Sequence, residues 1–327
     1  MSIQDFAALR PQLITHIETQ QLPANFIDVV EQWYWPMAQH IARQHRTSTG
    51  TLLVSVNGAQ GSGKTTLTSF LRLLLQSVWG LCTVDMSLDD FYLTRTERQS
   101  LAAHVHPLLE TRGVPGTHDV ALAVDTLACL RDCSAHQPCA IPRFNKALDD
   151  RCPPEEWTCI TEPVDVILFE GWCNHAPQSS DADLLAPINA LEASDDPQGI
   201  WRRYVNEQLQ QYQALLFHQA DLLIHLAIPG FDVVQGWRQL QEDKLAASNV
   251  DAGHIMTASQ LGRFIQHYER ITRKCLADLP GLADVVLSIN AEHNIDGLVI
   301  KNDDAIVLSI GTIHSAQSIS KNQHRSE

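Results

Sequence analysis

VNGAQGSGKTTL (residues 56–67) is the stretch that decides the fold. Within it, GAQGSGKT (58–65) fits the pattern Gly-x-x-x-x-Gly-Lys-Ser/Thr. The glycines let the backbone curl with its N–H groups turned inward, and a following helix adds its positive N-terminal end. Lys64 is long enough to reach β- and γ-phosphates, and the Thr65 hydroxyl can ligand Mg²⁺. Gly58, Ala59, Gln60, Gly61, Ser62, Gly63, Lys64, Thr65 and Thr66 are therefore read as a nucleotide-binding loop, with ATP and Mg²⁺ as the expected cofactors. The context agrees: TLLVSVN (51–57) has the length and β-branched content of a strand, and helical patterning runs from Lys64 to about Val78.

Outward from the loop, apolar runs alternate with helical patterns. Strands are expected at 82–88, 164–171, 221–228 and 283–290, with a short one at 139–144. Helices are expected over 119–133, 200–219, 232–247 and 257–278, and 176–199 reads as an irregular excursion. Continuous apolar strands between helices imply a parallel sheet covered on both faces. The expectation is an α/β P-loop NTPase fold: a mostly parallel five-stranded sheet, helices on both faces and a helical lid. No linker divides the chain, so residues 1–327 read as one domain. Residues 1–46 form an N-terminal helical extension, broken at Pro36, and about 313–327 read as a disordered polar tail.

Composition limits the partners. The chain has 327 residues, 23 Lys and Arg against 38 Asp and Glu, and a formal net charge of −15. Such a surface repels nucleic acid and anionic membranes, so an anionic ligand must be met by local cations and backbone N–H groups. Neither a signal peptide nor an apolar run of membrane-spanning length is read, and the expected location is cytoplasmic. The eight cysteines include no Cys-x-x-Cys pair and read as reduced thiols. The expected partner is a small-molecule substrate; oligomeric state is left open.

Two further strand ends carry carboxylates. A guanine-reading Asn-Lys-x-Asp is not present: NKAL (145–148) ends in Leu148. The strand VDVILFEG (164–171) ends with Glu170, which can orient Mg²⁺ or simply cap the next turn. The strand before SLDDFY (87–92) delivers Asp89 and Asp90 to the same edge. A hydroxyl that accepts a phosphoryl group needs a carboxylate to take its proton and hold it in line, and Asp89 is assigned that role. Asp90 supports Mg²⁺ or caps the turn.

The set GAQGSGKTTL, SLDDFYLT, RGVPGTHD, IPRFNKALDDRCPPEEW, ILFEGW, YVNEQL and GWRQLQEDKL resembles the D-glycerate 3-kinases, which are similar in turn to uridine kinase, phosphoribulokinase and bacterial pantothenate kinase. The resemblance runs from about residue 48 to 295, and RGVPGTHD with DDFYLT is its most specific part. It implies transfer of the γ-phosphoryl of ATP to a metabolite hydroxyl, D-glycerate giving 3-phosphoglycerate. EGWCNHAP and HYERITRK depart from the family pattern near regions that could touch substrate. A same-fold kinase for a nucleoside, pantothenate or a sugar phosphate, and an ATP-binding protein that has lost phosphotransfer, are the alternatives.

A hydroxy acid needs donors for its carboxylate. Arg112 and His118 in RGVPGTHD, and Arg143 and Lys146 in PRFNK, are the candidates. Each arginine has the alternative of a structural ion pair, and His118 that of a core histidine. Arg238, on the helix after the fourth strand, is the candidate lid cation, to neutralise charge on the transferring group alongside Lys64. A solvated helix arginine is its alternative.

Overall fold

The computed structural model describes residues 3–247, 257–301 and 306–309; the tail read at 313–327 lies outside them. The chain opens with helices α1 (Ile3–Thr19), α2 (Phe26–Val29) and α3 (Trp35–Thr47), then strand β1 (Leu52–Gly58), helix α4 (Lys64–Trp79), β2 (Thr83–Ser87), α5 (Arg95–His104) and α6 (Val120–Arg131). Four short strands follow: β3 (Cys139–Ile141), β4 (Phe144–Asn145), β5 (Asp150–Arg151) and β6 (Thr158–Ile160). Then come β7 (Val166–Gly171), α7 (Ala190–Asp195), α8 (Ile200–Leu215), β8 (Leu222–Ala227), α9 (Asp232–Ala247), α10 (Ala258–Leu282), β9 (Val285–Ile289), β10 (Ile295–Ile300) and β11 (Ile306–Ser309).

The main sheet has the order β11-β10-β9-β8-β1-β7-β2. Its five strands β9, β8, β1, β7 and β2 are mutually parallel, as the alternation of apolar runs and helices required. Two antiparallel strands, β10 and β11, extend it beyond β9 and were not expected. IDGLVI buries only Leu298 and Ile300 fully and leaves the rest half-buried, so it lacks the continuous apolar run by which strands were read. Buried β1 sends Leu52, Val54 and Val56 to one face and Leu53 to the other; β7 divides Val166 and Leu168 from Ile167 and Phe169 in the same way. α1, α3 and α4 pack on the first face, α6 and α8 on the second.

The N-terminal helices are part of this core. Phe6, Leu13 and Ile17 are buried with Phe70 and Leu74 of α4, each stabilising by about 1.5–3 kcal/mol. Pro36 does not break the segment: it enters at the start of α3, where its missing N–H is tolerated, after a π-helical turn at Val30–Tyr34. Among the described residues, no helix is long and apolar enough to cross a membrane, and no group of three or more His, Cys, Asp and Glu is placed to hold a metal ion. All eight cysteines are unpaired.

Because β1, β7, β2 and β8 run parallel, their C-terminal ends share one edge, where Gly58, Glu170, Asp89 and the loop before α9 converge.

Candidate active site

The loop after β1 is shaped by its glycines. A Cβ on Gly58 would fall 2.9 Å from Leu226 Cβ and 2.6 Å from Ser62 Oγ, so β8 can pack here only against glycine. Gly61 and Gly63 take φ of +81° and +92°, which favour glycine. Gly63 is the N-cap of α4 and no side chain caps that helix, so its first N–H groups are left for a ligand. Lys64 Nζ donates to Ala59 O at 3.2 Å, folded back over the loop.

Thr65 Oγ1 donates to Glu170 Oε1 at 3.0 Å, joining the loop to the end of β7. Glu170 is 8 % exposed and sits in register with Val56 and Ser87. Burial pushes its carboxyl up from the usual range, against the pull of Lys64 and the Thr65 hydrogen bond.

Asp89 and Asp90 follow β2 in a 3₁₀ turn, Leu88–Phe91, in which the Asp89 N–H donates to Ser87 Oγ at 3.3 Å. At three residues per turn, neighbouring side chains diverge by about 120°. Asp89 therefore enters the cleft, where Lys146 Nζ donates to Oδ2 and the Tyr92 hydroxyl to Oδ1, both at 2.7 Å. Burial acts to raise its pKa, but Lys146 and Tyr92 outweigh it and hold the carboxyl at about 2. Asp90 goes elsewhere. It accepts from Arg143 Nη1 at 2.8 Å and from the Phe144 N–H at 3.3 Å, while burial still pushes its carboxyl up.

That pairing corrects two expectations. Asp90 and Arg143 are bound to each other, with Arg143 Nε on Thr158 Oγ1 at 2.9 Å, and neither lines the cleft. Together they clamp the 3₁₀ turn to the β4–β5 and β3–β6 hairpins, a structural ion pair instead of a metal ligand and a substrate contact.

RGVPGTHD is held from three sides. Gly113 and Gly116 take φ of +129° and +94°, with ring carbons of Tyr268 and Tyr204 each 2.6 Å from where a Cβ would stand. Trp172 Nε1 donates to Gly113 O at 2.8 Å, the Gly116 N–H to Tyr212 Oη at 2.9 Å, and the Tyr268 hydroxyl to Arg112 O at 3.1 Å. This presents Arg112 to the cleft. Its guanidinium lies 5.6 Å above the Phe144 ring and pairs with Asp149. Asp119 caps α6, accepting from the Leu122 N–H at 3.0 Å.

His118 does not reach the cleft. It is 5 % exposed, hydrogen-bonded through Nδ1 to Tyr212 Oη at 2.8 Å and stacked on Tyr92 at 4.6 Å. Burial holds its pKa down at about 4, so it is neutral. It backs the ring whose hydroxyl holds Asp89, the core-histidine alternative.

The resulting cleft has a volume of about 240 Å³. It brings together Gln60, Gly61, Lys64 and Thr65 from the loop with Glu170, Asp89, Arg112, Lys146 and Arg238. Four lining aromatics, Tyr92, Trp172, Phe264 and Tyr268, were not assigned roles from the sequence. Phe264 and Tyr268 stand four apart on α10, a spacing that puts them on one helix face. Asn57 was also missed. Buried at the end of β1, it donates to Trp172 O and Asn174 O at 3.2 and 2.7 Å and bonds His225 Nδ1 at 2.9 Å, tying β1 to β8 and to the turn after β7.

No protein-family model matches the chain. It is similar to the chloroplastic D-glycerate 3-kinase of Arabidopsis thaliana, 31 % identical over 226 residues, covering 66 % of this chain and 46 % of the plant protein, so it spans about half of that relative. A probable ATP-dependent kinase of Saccharomyces cerevisiae is 27 % identical over 267 residues, covering 75 % of this chain and 86 % of its own length. Among solved structures, D-glycerate 3-kinase from Cryptococcus neoformans superposes with a TM-score of 0.69 at 28 % identity, covering 83 % of this chain and 98 % of its own.

Proposed function

From the premise that this chain is a D-glycerate 3-kinase-like P-loop kinase, we propose that it transfers the γ-phosphoryl of Mg·ATP to the hydroxyl of a small hydroxy acid, D-glycerate first, giving 3-phosphoglycerate. One observation carries the reading. A single cleft is lined by Asp89, Arg112 and Lys146 together with Lys64, Thr65 and Glu170, and Lys146 pairs with Asp89.

Arg112 and Lys146 are two cations in a protein of net charge −15, and they suit a carboxylate. The acceptor's hydroxyl then falls to Asp89, which is ionised at any working pH and can hold it in line and accept its proton. Lys64 and Arg238 face the transferring group and neutralise its charge. Trp172, Phe264 and Tyr268 exclude water, which would otherwise take the phosphoryl group. The Thr65 hydroxyl and the buried Glu170 carboxylate are hard oxygen donors that fit Mg²⁺, with water and phosphate oxygens completing its shell. A Mg²⁺ ion held there would supply charge neutralisation for the phosphates. The volume favours a small acceptor: about 240 Å³ lies below the roughly 300–1,000 Å³ of sites for drug-sized ligands.

The test is ADP release from Mg·ATP with D-glycerate, L-glycerate, glycolate, pantothenate, uridine or ribulose 5-phosphate, using Lys64→Ala as the blank. Stimulation by D-glycerate, with the phosphoryl group on its 3-hydroxyl, supports the proposal. Stimulation by uridine or pantothenate alone overturns the acceptor.

A further inference from the structure

We propose that Cys129 and Cys139 are a redox-active thiol pair: a hydroperoxide converts them to a reversible disulfide, and that bond ties together the two arms that carry the acceptor-binding residues. The pair stands on the fold alone; its effect on the acceptor rests on the function proposed above.

The fold brings the two sulfurs together. Cys129 lies on α6, and Cys139 opens β3, which packs beside that helix. Cys139 Sγ donates to Thr126 O at 3.8 Å. In a helix, the side chains three and four positions on flank such a carbonyl, and here they are Cys129 and Leu130. The Cys139 thiol thus meets the Cys129 thiol, and the two share a hydrogen bond.

The neighbouring thiols are set apart from this contact. Cys133, just past the end of α6, gives its thiol to Ile160 O at 3.2 Å. Cys159 stands opposite Ala140 in the β3–β6 hairpin, and both are exposed on the face turned from α6, whereas Cys139 is buried on the other.

The pair is arranged for ordered oxidation. Cys129 is half-exposed and Cys139 buried. Burial first, and then the contact with Cys129, push the Cys139 thiol well up, so it stays protonated and unreactive towards solvent oxidants. Reaction therefore begins at Cys129. Its thiolate attacks the O–O bond of hydrogen peroxide, giving the Cys129 sulfenic acid, and the other oxygen leaves as water. The Cys139 sulfur then attacks the Cys129 sulfur: the S–S bond forms, the S–O bond breaks, and hydroxide departs with the Cys139 proton as a second water. Two thiols are oxidised and one peroxide is reduced. A dithiol reverses the bond by exchange.

Placement gives the bond a consequence. α6 is capped by Asp119, at the end of the loop that presents Arg112. β3 leads within a few residues to Phe144, under the Arg112 guanidinium, and to Lys146, on Asp89. Replacing a non-bonded contact by a covalent one draws β3 against α6 and shifts the segment that ends on Asp89. The phosphate loop belongs to β1 and α4, away from both arms.

The test maps the bond before it reads activity. Reduced full-length protein is treated with hydrogen peroxide, the remaining thiols are alkylated, and tryptic peptides 113–131 and 132–143 are followed by mass spectrometry. They should be joined, with fragmentation placing the link at Cys129 and Cys139, and dithiothreitol should release them. Cys133→Ser should keep the link and Cys129→Ser should lose it. Oxidation should raise the KM for D-glycerate at least about threefold, reversibly, with the ATP KM within about twofold and Cys129→Ser unresponsive. A link through Cys82, Cys133 or Cys159 overturns the pair, and so does sulfinic acid at Cys129 with no link. A mapped Cys129–Cys139 link with an unchanged acceptor KM overturns its hold on the acceptor arms. If a variant fails to fold, the wild-type peptide map and its reversal decide alone. Should no acceptor stimulate ADP release, the proposed function fails, while the peptide map still decides the thiol pair.

Discussion

Lys146 Nζ lies 2.7 Å from Asp89 Oδ2, so the carboxylate assigned to the acceptor hydroxyl is already paired with a cation assigned to the acceptor acid. Lys146 is 61 % exposed and can turn from Asp89 to an incoming carboxylate, while Tyr92, buried, keeps hold of the other oxygen. An acceptor carboxylate that drew Lys146 away would loosen one of the contacts that hold Asp89 so acidic.

Asp89→Asn should lower kcat by at least ~10²-fold, because the amide cannot accept the proton. ADP affinity should stay at the wild-type value, since Asp89 stands on the acceptor side. With a carboxyl near 2 in the free enzyme, Asp89 should produce no acid limb in kcat/KM between pH 5 and 8. A variant that turns over at the wild-type rate would remove Asp89 from the mechanism.

Arg112→Ala should raise the acceptor KM at least about tenfold, the loss of a charge-assisted hydrogen bond being about 1.5–3 kcal/mol. The ATP KM should move less than about twofold. Arg112→Lys should recover part of the loss, because a point charge replaces a two-pronged donor. Equal increases in both KM values would mean that the substitution had deformed the loop Gly113–Gly116 instead.

Glu170→Gln separates metal binding from stability. The carboxyl is raised because burial outweighs the pull of Lys64 and the Thr65 hydrogen bond, so the neutral amide should leave the metal-free Tm unchanged or higher. The Mg²⁺ concentration for half-maximal activity should rise about tenfold or more, and chelation should stop transfer in wild type. A lower Tm with an unchanged Mg²⁺ requirement would make Glu170 a structural cap.

These sites were legible to different depths. Lys64, Thr65, Asp89 and Glu170 could be placed because strand ends of a parallel sheet share an edge, and a run of apolar residues locates each strand. Which of two adjacent aspartates enters the cleft could not be read, because the 3₁₀ turn that splits Asp89 from Asp90 is set by Ser87 and by Arg143, more than 50 residues on. Arg143 and His118 have the right chemistry for a ligand but are claimed by Asp90 and Tyr212. Tyr268 arrives from α10, whose approach to Gly113 depends on packing and carries no local motif. β10 and β11 escaped for a similar reason: outer strands bury only one face.

His118 makes the sharpest pH prediction. Burial lowers its pKa to about 4 from 6.5, and burial does the same for His225 and His175. A group with a depressed basic pKa takes up its proton first in the unfolded chain. Its effect is therefore absent above pH 6.5, grows as pH falls towards 4, and is complete below that, destabilising by about 3 kcal/mol for His118. Asp89 does not interfere: its stabilisation is present above 3.8 and is lost only as pH falls from there towards 2. Glu170, with its raised carboxyl, works in the opposite sense, so the difference between variants is the quantity to read. His118→Asn keeps a polar group beside Tyr212 Oη but does not titrate. Between pH 7 and 4.5 its Tm should fall several degrees less than that of wild type, whatever its Tm at pH 7. Parallel Tm curves would show that His118 carries the same protonation in the folded and unfolded chains, and its role as a neutral support for Tyr92 would be lost.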